Sequence, residues 1–216
     1  MPLYAPEKEL VNIVLYRYYV DMVSDVNIWL ERLASLHKCQ LRKAAVEEGI
    51  QLVHLEILHY LSISNKYSNT AQAMSEYLGQ SKGSMSQSLK YIEEAGHIER
   101  RRCKKDGRMQ RIYLTPEGRA CYQRMEQSLL PVLPGDEKTV HTLKALLMNW
   151  QERNSLKGFG QCKSCQYSQA LGGGKFRCDL TGEALLQSDI QKICYEHVFA
   201  GNHVVRIENT GQSLPE

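Results

Sequence analysis

Between residues 69 and 118 the chain is punctuated in a way few folds can satisfy. Gly79 and Gly96 each close an amphipathic segment, Asp106-Gly107 divides two strand-like runs, and Thr115-Pro116 opens another helical stretch. A glycine just past a periodic segment ends a helix, and Asp-Gly between extended runs makes a tight hairpin. The predicted order is a helix over 70–78, a tight turn, and a helix over 81–95 with Ser81 as N-cap. Strands over 97–102 and 110–114 follow, then a helix from Pro116 to about residue 130. Two helices joined by a glycine-containing turn form the helix-turn-helix outline, here followed by a hairpin.

Long helices flank this unit. Residues 7–36 read as one helix with two apolar stripes. One runs through Ile13, Tyr16, Val20, Val23 and Leu30, the other through Leu15, Tyr19, Met22, Val26, Trp29 and Leu33. Two stripes make a face wider than a lone surface helix needs, so it is central to a core or shared with a partner. Residues 39–48, ended by Gly49, and 51–61 read as shorter helices, and Asp136 opens a last one to about residue 154. The 216 residues are 43% hydrophobic, which excludes disorder. No uncharged apolar stretch approaches a membrane span, and no leader pattern opens the chain, so a cytoplasmic protein is expected.

The net charge of +3 hides a local concentration. From Glu99 to Arg111 seven basic residues face two acidic ones, a net +5, so the remainder carries about −2. Such runs are often solvated loops. This one directly follows a helix with a short polar face, formed by Ser84, Gln87, Ser88 and Tyr91 opposite Met85, Leu89 and Ile92. Short polar groups let a helix enter the major groove, where Gln87 could pair with adenine. Lys82 and Ser84 sit where a helix N-terminus meets phosphate. The helix would read bases while the hairpin, with Lys104, Lys105 and Arg108, tracks the backbone.

The ordered set Leu78-Gly79-Gln80-Ser81-Lys82-Gly83-Ser84-Met85, then Ala95-Gly96-His97-Ile98-Glu99-Arg100, Asp106-Gly107-Arg108 and Leu114-Thr115-Pro116-Glu117-Gly118 resembles a MarR-type winged-helix transcriptional regulator over about residues 7–154. Ile92 stands where that family usually has Leu, a departure that keeps the position apolar. The resemblance implies that Asp106 and Arg108 shape the wing, with Arg108 reaching the minor groove. It implies a homodimer built on the first and last long helices, binding pseudo-palindromic double-stranded DNA, with no enzymatic activity. It also implies response to a small-molecule effector, whose pocket the residues do not locate; a redox effector is what the C-terminal cysteines would add.

The last 60 or so residues depart from that family. Cys162 and Cys165, with two residues between them, are followed by Cys178 and Cys194. A Cys-x-x-Cys knuckle turns two sulfurs inward, and two more cysteines complete a tetrahedral site. The segment holds few large apolar residues, and a metal would supply folding energy its core cannot. Zn²⁺ is the expected ion, and a [4Fe–4S] cluster is the alternative that the same ligands serve. His197, three residues past Cys194, is a secondary ligand candidate. His54, Glu56 and His59 do not share a helix face and read as core or surface groups. Cys103, within the basic hairpin, is a candidate for redox modification.

The expected fold is therefore mainly α: a winged helix-turn-helix with long dimerisation helices, plus a small metal-stabilised C-terminal module. Residues 1–155 form the DNA-binding and dimerisation domain, 156–161 a linker, 162–197 the cysteine-rich module and 198–216 a tail. Two readings of another class stand beside it. A thiol or iron–sulfur electron-transfer protein using Cys162 and Cys165 would need a βαβ context that the segment lacks. A zinc-module interaction adaptor would apply to the tail alone.

Overall fold

The computed structural model describes residues 7–103, 107–129 and 136–199, with the side chains of 7–24 and 127–129 outside that description. Helix α1 (Glu7–Glu47) runs unbroken for 41 residues. The sequence suggested a break between residues 36 and 39, but no Gly or Pro stands between Glu7 and Gly49 to make one. Gly49 (φ 67°) ends the helix, and α2 (Leu52–Ile63) turns back beneath it.

Helices α3 (Ala71–Leu78) and α4 (Lys82–Glu94) form the helix-turn-helix. Thr70 Oγ1 accepts from the Ala73 N–H and Ser81 Oγ from the Ser84 N–H, so each N-terminus has its side-chain cap. Such caps stabilise a helix by about 1 kcal/mol each. Gly79, at φ 63°, makes the left-handed turn between them. Strands β1 (Ile98–Arg102) and β2 (Gln110–Leu114) pair antiparallel from Ile98↔Leu114 to Arg102↔Gln110. Helices α5 (Pro116–Leu129) and α6 (Glu137–Arg153) follow, with Asp136 capping α6.

One core joins these elements. Leu55, Ile57 and Leu58 of α2, Met74 of α3, Met85, Leu89 and Ile92 of α4, and Ile112 of β2 are all buried. Each such side chain contributes roughly 1.5–3 kcal/mol by leaving water.

Beyond α6 the chain makes short elements. Strand β3 (Gly160–Gln161) pairs with β7 (Ile193–Cys194), and β4 (Ser168–Gly172), β5 (Lys175–Cys178) and β6 (Glu183–Leu185) form an antiparallel meander. A 3₁₀ turn (Cys162–Ser164) and the one-turn helix α7 (Gln187–Ile190) complete the unit. Its own core is small, with Cys162, Leu185 and Ile190 buried. Phe159, read from sequence as linker, is buried in the main core between Tyr77 and Tyr195, at ring distances of 5.1 and 5.6 Å.

Candidate functional site

Two places carry chemistry: the exposed side of α4 with the β1–β2 wing, and the cavity lined by the four C-terminal cysteines.

On α4, Lys82, Ser84, Gln87 and Tyr91 are exposed, as their spacing predicts. Ser88 is not. It is 9% exposed and lies on the buried stripe Met85, Ser88, Leu89, Ile92. The expectation that it reads DNA is thus corrected: these four residues follow the i, i+3, i+4, i+7 rule of a core face. Tyr91 stacks at 4.6 Å on the ring of buried His54. His59 turns elsewhere, its Nδ1 lying 2.8 Å from the Tyr122 hydroxyl. Both imidazoles are pushed below the usual range by burial, as neutral core histidines are.

The wing is less uniformly cationic toward solvent than its sequence suggests. Arg100 pairs with Glu93 at 2.9 Å, and Arg101 pairs with Glu99 while lying over the Tyr113 ring. Arg111 turns inward and donates to the Tyr67 carbonyl oxygen and to Asn69 Oδ1. Arg102 and Arg108 are exposed toward the hairpin tip. Cys103 is half-buried, its N–H bonded to the Met109 carbonyl at 2.8 Å. The expected contacts Lys104, Lys105 and Asp106 lie outside the described residues.

The cysteines come from three separate pieces of chain. Cys162 and Cys165 form the knuckle, closed by the Cys165 N–H donating to the Cys162 carbonyl at 3.0 Å. Cys178 ends β5 opposite Ser168, and Cys194 lies on β7 opposite Gly160. All four line one cavity of about 480 Å³, together with Tyr67 and Arg111. None is in a disulfide. Burial, then the neighbouring thiols Cys194, Cys165 and Cys178, pushes Cys162 up to about 11. Cys194 is raised mainly by burial, with the polar side chains of Asn65 and Ser68 acting in the opposite direction. Among the described residues no three His, Cys, Asp or Glu side chains meet the geometry that holds one metal ion. His197 is buried, its Nε2 3.0 Å from Ser164 Oγ, and its ring packs against Gly160 rather than lining the cysteine cavity.

A second cavity, of about 1020 Å³, opens between α6 and the C-terminal unit. Leu143, Leu147 and Trp150 line one side, Tyr77, Phe159 and Phe199 the other. Sequence reasoning missed it, because Tyr77 on α3, the α6 side chains and Phe199 are separated by more than 40 residues each and meet only in the fold.

Residues 48–109 match the model of the MarR family. No curated protein matches the chain. Among solved structures, a MarR family transcription regulator is similar at 22% identity and a TM-score of 0.51, over 64% of this chain and 96% of that one. Reduced AbfR bound to DNA is similar at 19% identity and a TM-score of 0.50, over 64% and 98%. CouR from Rhodococcus jostii RHA1, bound to p-coumaroyl-CoA, gives 19% identity and a TM-score of 0.48, over 60% and 91%. These chains are matched almost whole, while about a third of this one is left over. No helix among the described residues is long and apolar enough to cross a membrane. Helix-turn-helix, wing and long flanking helices, with the family match over 48–109, make this a mainly helical chain with the MarR winged-helix fold.

Proposed function

We propose that the chain is a homodimeric, sequence-specific DNA-binding transcriptional regulator of the cytoplasm, carrying a four-cysteine metal site in its C-terminal unit. The observation that carries this reading is the pairing of two surfaces. The short polar face of α4 presents Lys82, Ser84 and Gln87 beside exposed wing arginines, on a winged helix. Helix α4 enters the major groove with its N-terminus toward a phosphate, and the wing follows the minor groove. The similar chain solved as reduced AbfR bound to DNA is in keeping with this use of the fold. Cys162, Cys165, Cys178 and Cys194 supply the thiolates that hold the metal, and the metal stabilises a unit whose own core is small. The cavity beside α6 offers apolar walls to a small effector, with Lys144 and Lys163 at its edge.

The test is a titration of the full chain against duplex DNA carrying its selected operator, at several salt concentrations. If the dimer neutralises six to ten phosphates, affinity falls roughly 10³–10⁵-fold between about 50 and 200 mM salt. A flat salt dependence removes the wing from the interface and the reading with it.

A further inference from the structure

The cysteine cavity does not stand apart from the DNA-binding half. Residues 64–70, the strap between α2 and α3, lie between it and the wing. On one side the strap holds the cysteine unit. The Asn65 N–H donates to the Ile193 carbonyl at 2.9 Å, the Tyr195 N–H to Ser68 Oγ at 2.8 Å, and the Tyr67 hydroxyl to Glu183 at 2.7 Å. The bonds to Ile193 and Tyr195 bracket Cys194 on both sides in the chain. On the other side the strap holds β2 of the wing. The Ile112 N–H donates to the Asn69 carbonyl at 2.9 Å, and Arg111 donates to the Tyr67 carbonyl. The strap then runs into Thr70, the cap of α3. Its polar groups are bonded to one another as well, with Asn65 Oδ1 accepting from both Ser68 Oγ and the Tyr67 N–H. A shift of Cys194 therefore moves atoms that fix the wing and the start of the helix-turn-helix.

The size of the shared space bears on what fills it. Zinc bound to four thiolates at about 2.3 Å draws the sulfurs to within about 4 Å of one another. All four thiols line a single space of about 480 Å³, far more than one ion wrapped at that distance leaves open. A core of several irons and sulfides keeps its four cysteine sulfurs apart, because the inorganic atoms lie between them. Arg111 and Lys157 line the same space, and their positive charge suits a centre made anionic by four thiolates.

We propose that the cavity of Cys162, Cys165, Cys178 and Cys194 holds an iron–sulfur cluster, and that the 64–70 strap transmits its presence to the wing. This rests on the regulator reading above and assigns that site its cofactor class and its output. Cluster loading fixes Cys194, the strap follows Cys194, and the wing and α3 follow the strap. DNA affinity then differs between the loaded and apo chain.

The experiment uses the full chain purified without oxygen from iron-supplied cells. Iron, acid-labile sulfide and zinc are measured, and affinity for operator DNA is compared before and after chelation. Wild type is run beside Ser68→Ala and Tyr67→Phe, which keep side-chain volume close to native and cut the strap from the cysteine unit. Circular dichroism checks that each variant is folded. The expected result is a brown protein with iron and sulfide in equal amounts, and a change of tenfold or more in affinity on chelation. In Ser68→Ala the change shrinks to threefold or less with the cluster retained. One zinc per chain without sulfide overturns the cluster assignment, and so does zinc added alone to the apo chain restoring the native affinity. A cluster whose removal leaves DNA affinity unchanged overturns the coupling. Failure of both loaded and apo chains to bind DNA would remove the regulator reading itself, an outcome distinct from either.

Discussion

Gly118 and His197 show how single positions set the joints of this molecule. A Cβ on Gly118 would lie 1.9 Å from the His97 carbonyl oxygen, a backbone atom that cannot swing aside. The first turn of α5 therefore sits directly on the chain entering β1, and the Leu-Thr-x-x-Gly pattern seen in the sequence has a steric cause. Gly118→Ala is expected to destabilise the winged helix by at least about 1–3 kcal/mol, since relief requires α5 to move. A thermal midpoint equal to wild type would show that the contact yields. His197 works through charge. Burial, with Lys144 nearby, lowers it to about 4 from 6.5. Between those two values the unfolded chain binds a proton that the folded chain refuses, so stability is full above about pH 6.5 and is lost as pH falls toward about 4. The loss is at most on the order of 3 kcal/mol. His54 and His59 shift in the same direction and add to the slope. Thermal midpoints of wild type and His197→Gln, taken across this range, should differ in slope, the variant being flatter. Equal slopes would assign the acid sensitivity to the other two histidines.

At the scale of elements, α4 decides whether the DNA reading is specific. Gln87 is the exposed amide of the α4 face proposed to meet the groove, with donor and acceptor on separate atoms. Gln87→Ala should weaken operator binding by about 1–3 kcal/mol and leave random DNA unaffected. Equal losses on both DNAs, read by anisotropy, would take Gln87 out of base reading. The same helix shows what the sequence made legible. Its caps, Ser81 and the Gly79 turn before it, were read from local chemistry alone, which is why the helix-turn-helix emerged with correct bounds to within a residue or two. Ser88 was misplaced because its polarity was weighed above its position on the apolar stripe. Arg111 was counted with the outward charges because its acceptors, Tyr67 and Asn69, lie more than 40 residues away in sequence. The strands of the cysteine unit left no periodic signal, being two to five residues long. There the spacing of the cysteines marked the site, but neither the cavity nor the strap beside it.

The whole molecule leaves its longest helices uncovered. Along the described part of α1, Val26, Trp29, Leu33 and Leu36 recur at steps of three and four, and all are exposed, Trp29 at 67%. On α6, Val140, Leu143, Leu147 and Trp150 recur in the same way, but along the wall of the cavity shared with the C-terminal unit. The α1 stripe is the surface that a second copy would cover, and it extends the apolar pattern read in residues 13–23, whose side chains lie outside the description. A twofold pairing there would set the two α4 helices about 34 Å apart, one turn of DNA. Charges placed in this seam would be left buried without partners, so Trp29→Glu combined with Leu33→Glu should separate the copies. Sedimentation should then report a monomer of half the native mass, with the winged-helix core, which does not include these residues, still folded by circular dichroism. Operator binding should fall steeply, while a duplex carrying one half-site should bind the monomer and the native chain within a few-fold of each other. A native dimer that survives both substitutions would place the interface elsewhere, and the spacing of the recognition helices would have to be set by other contacts.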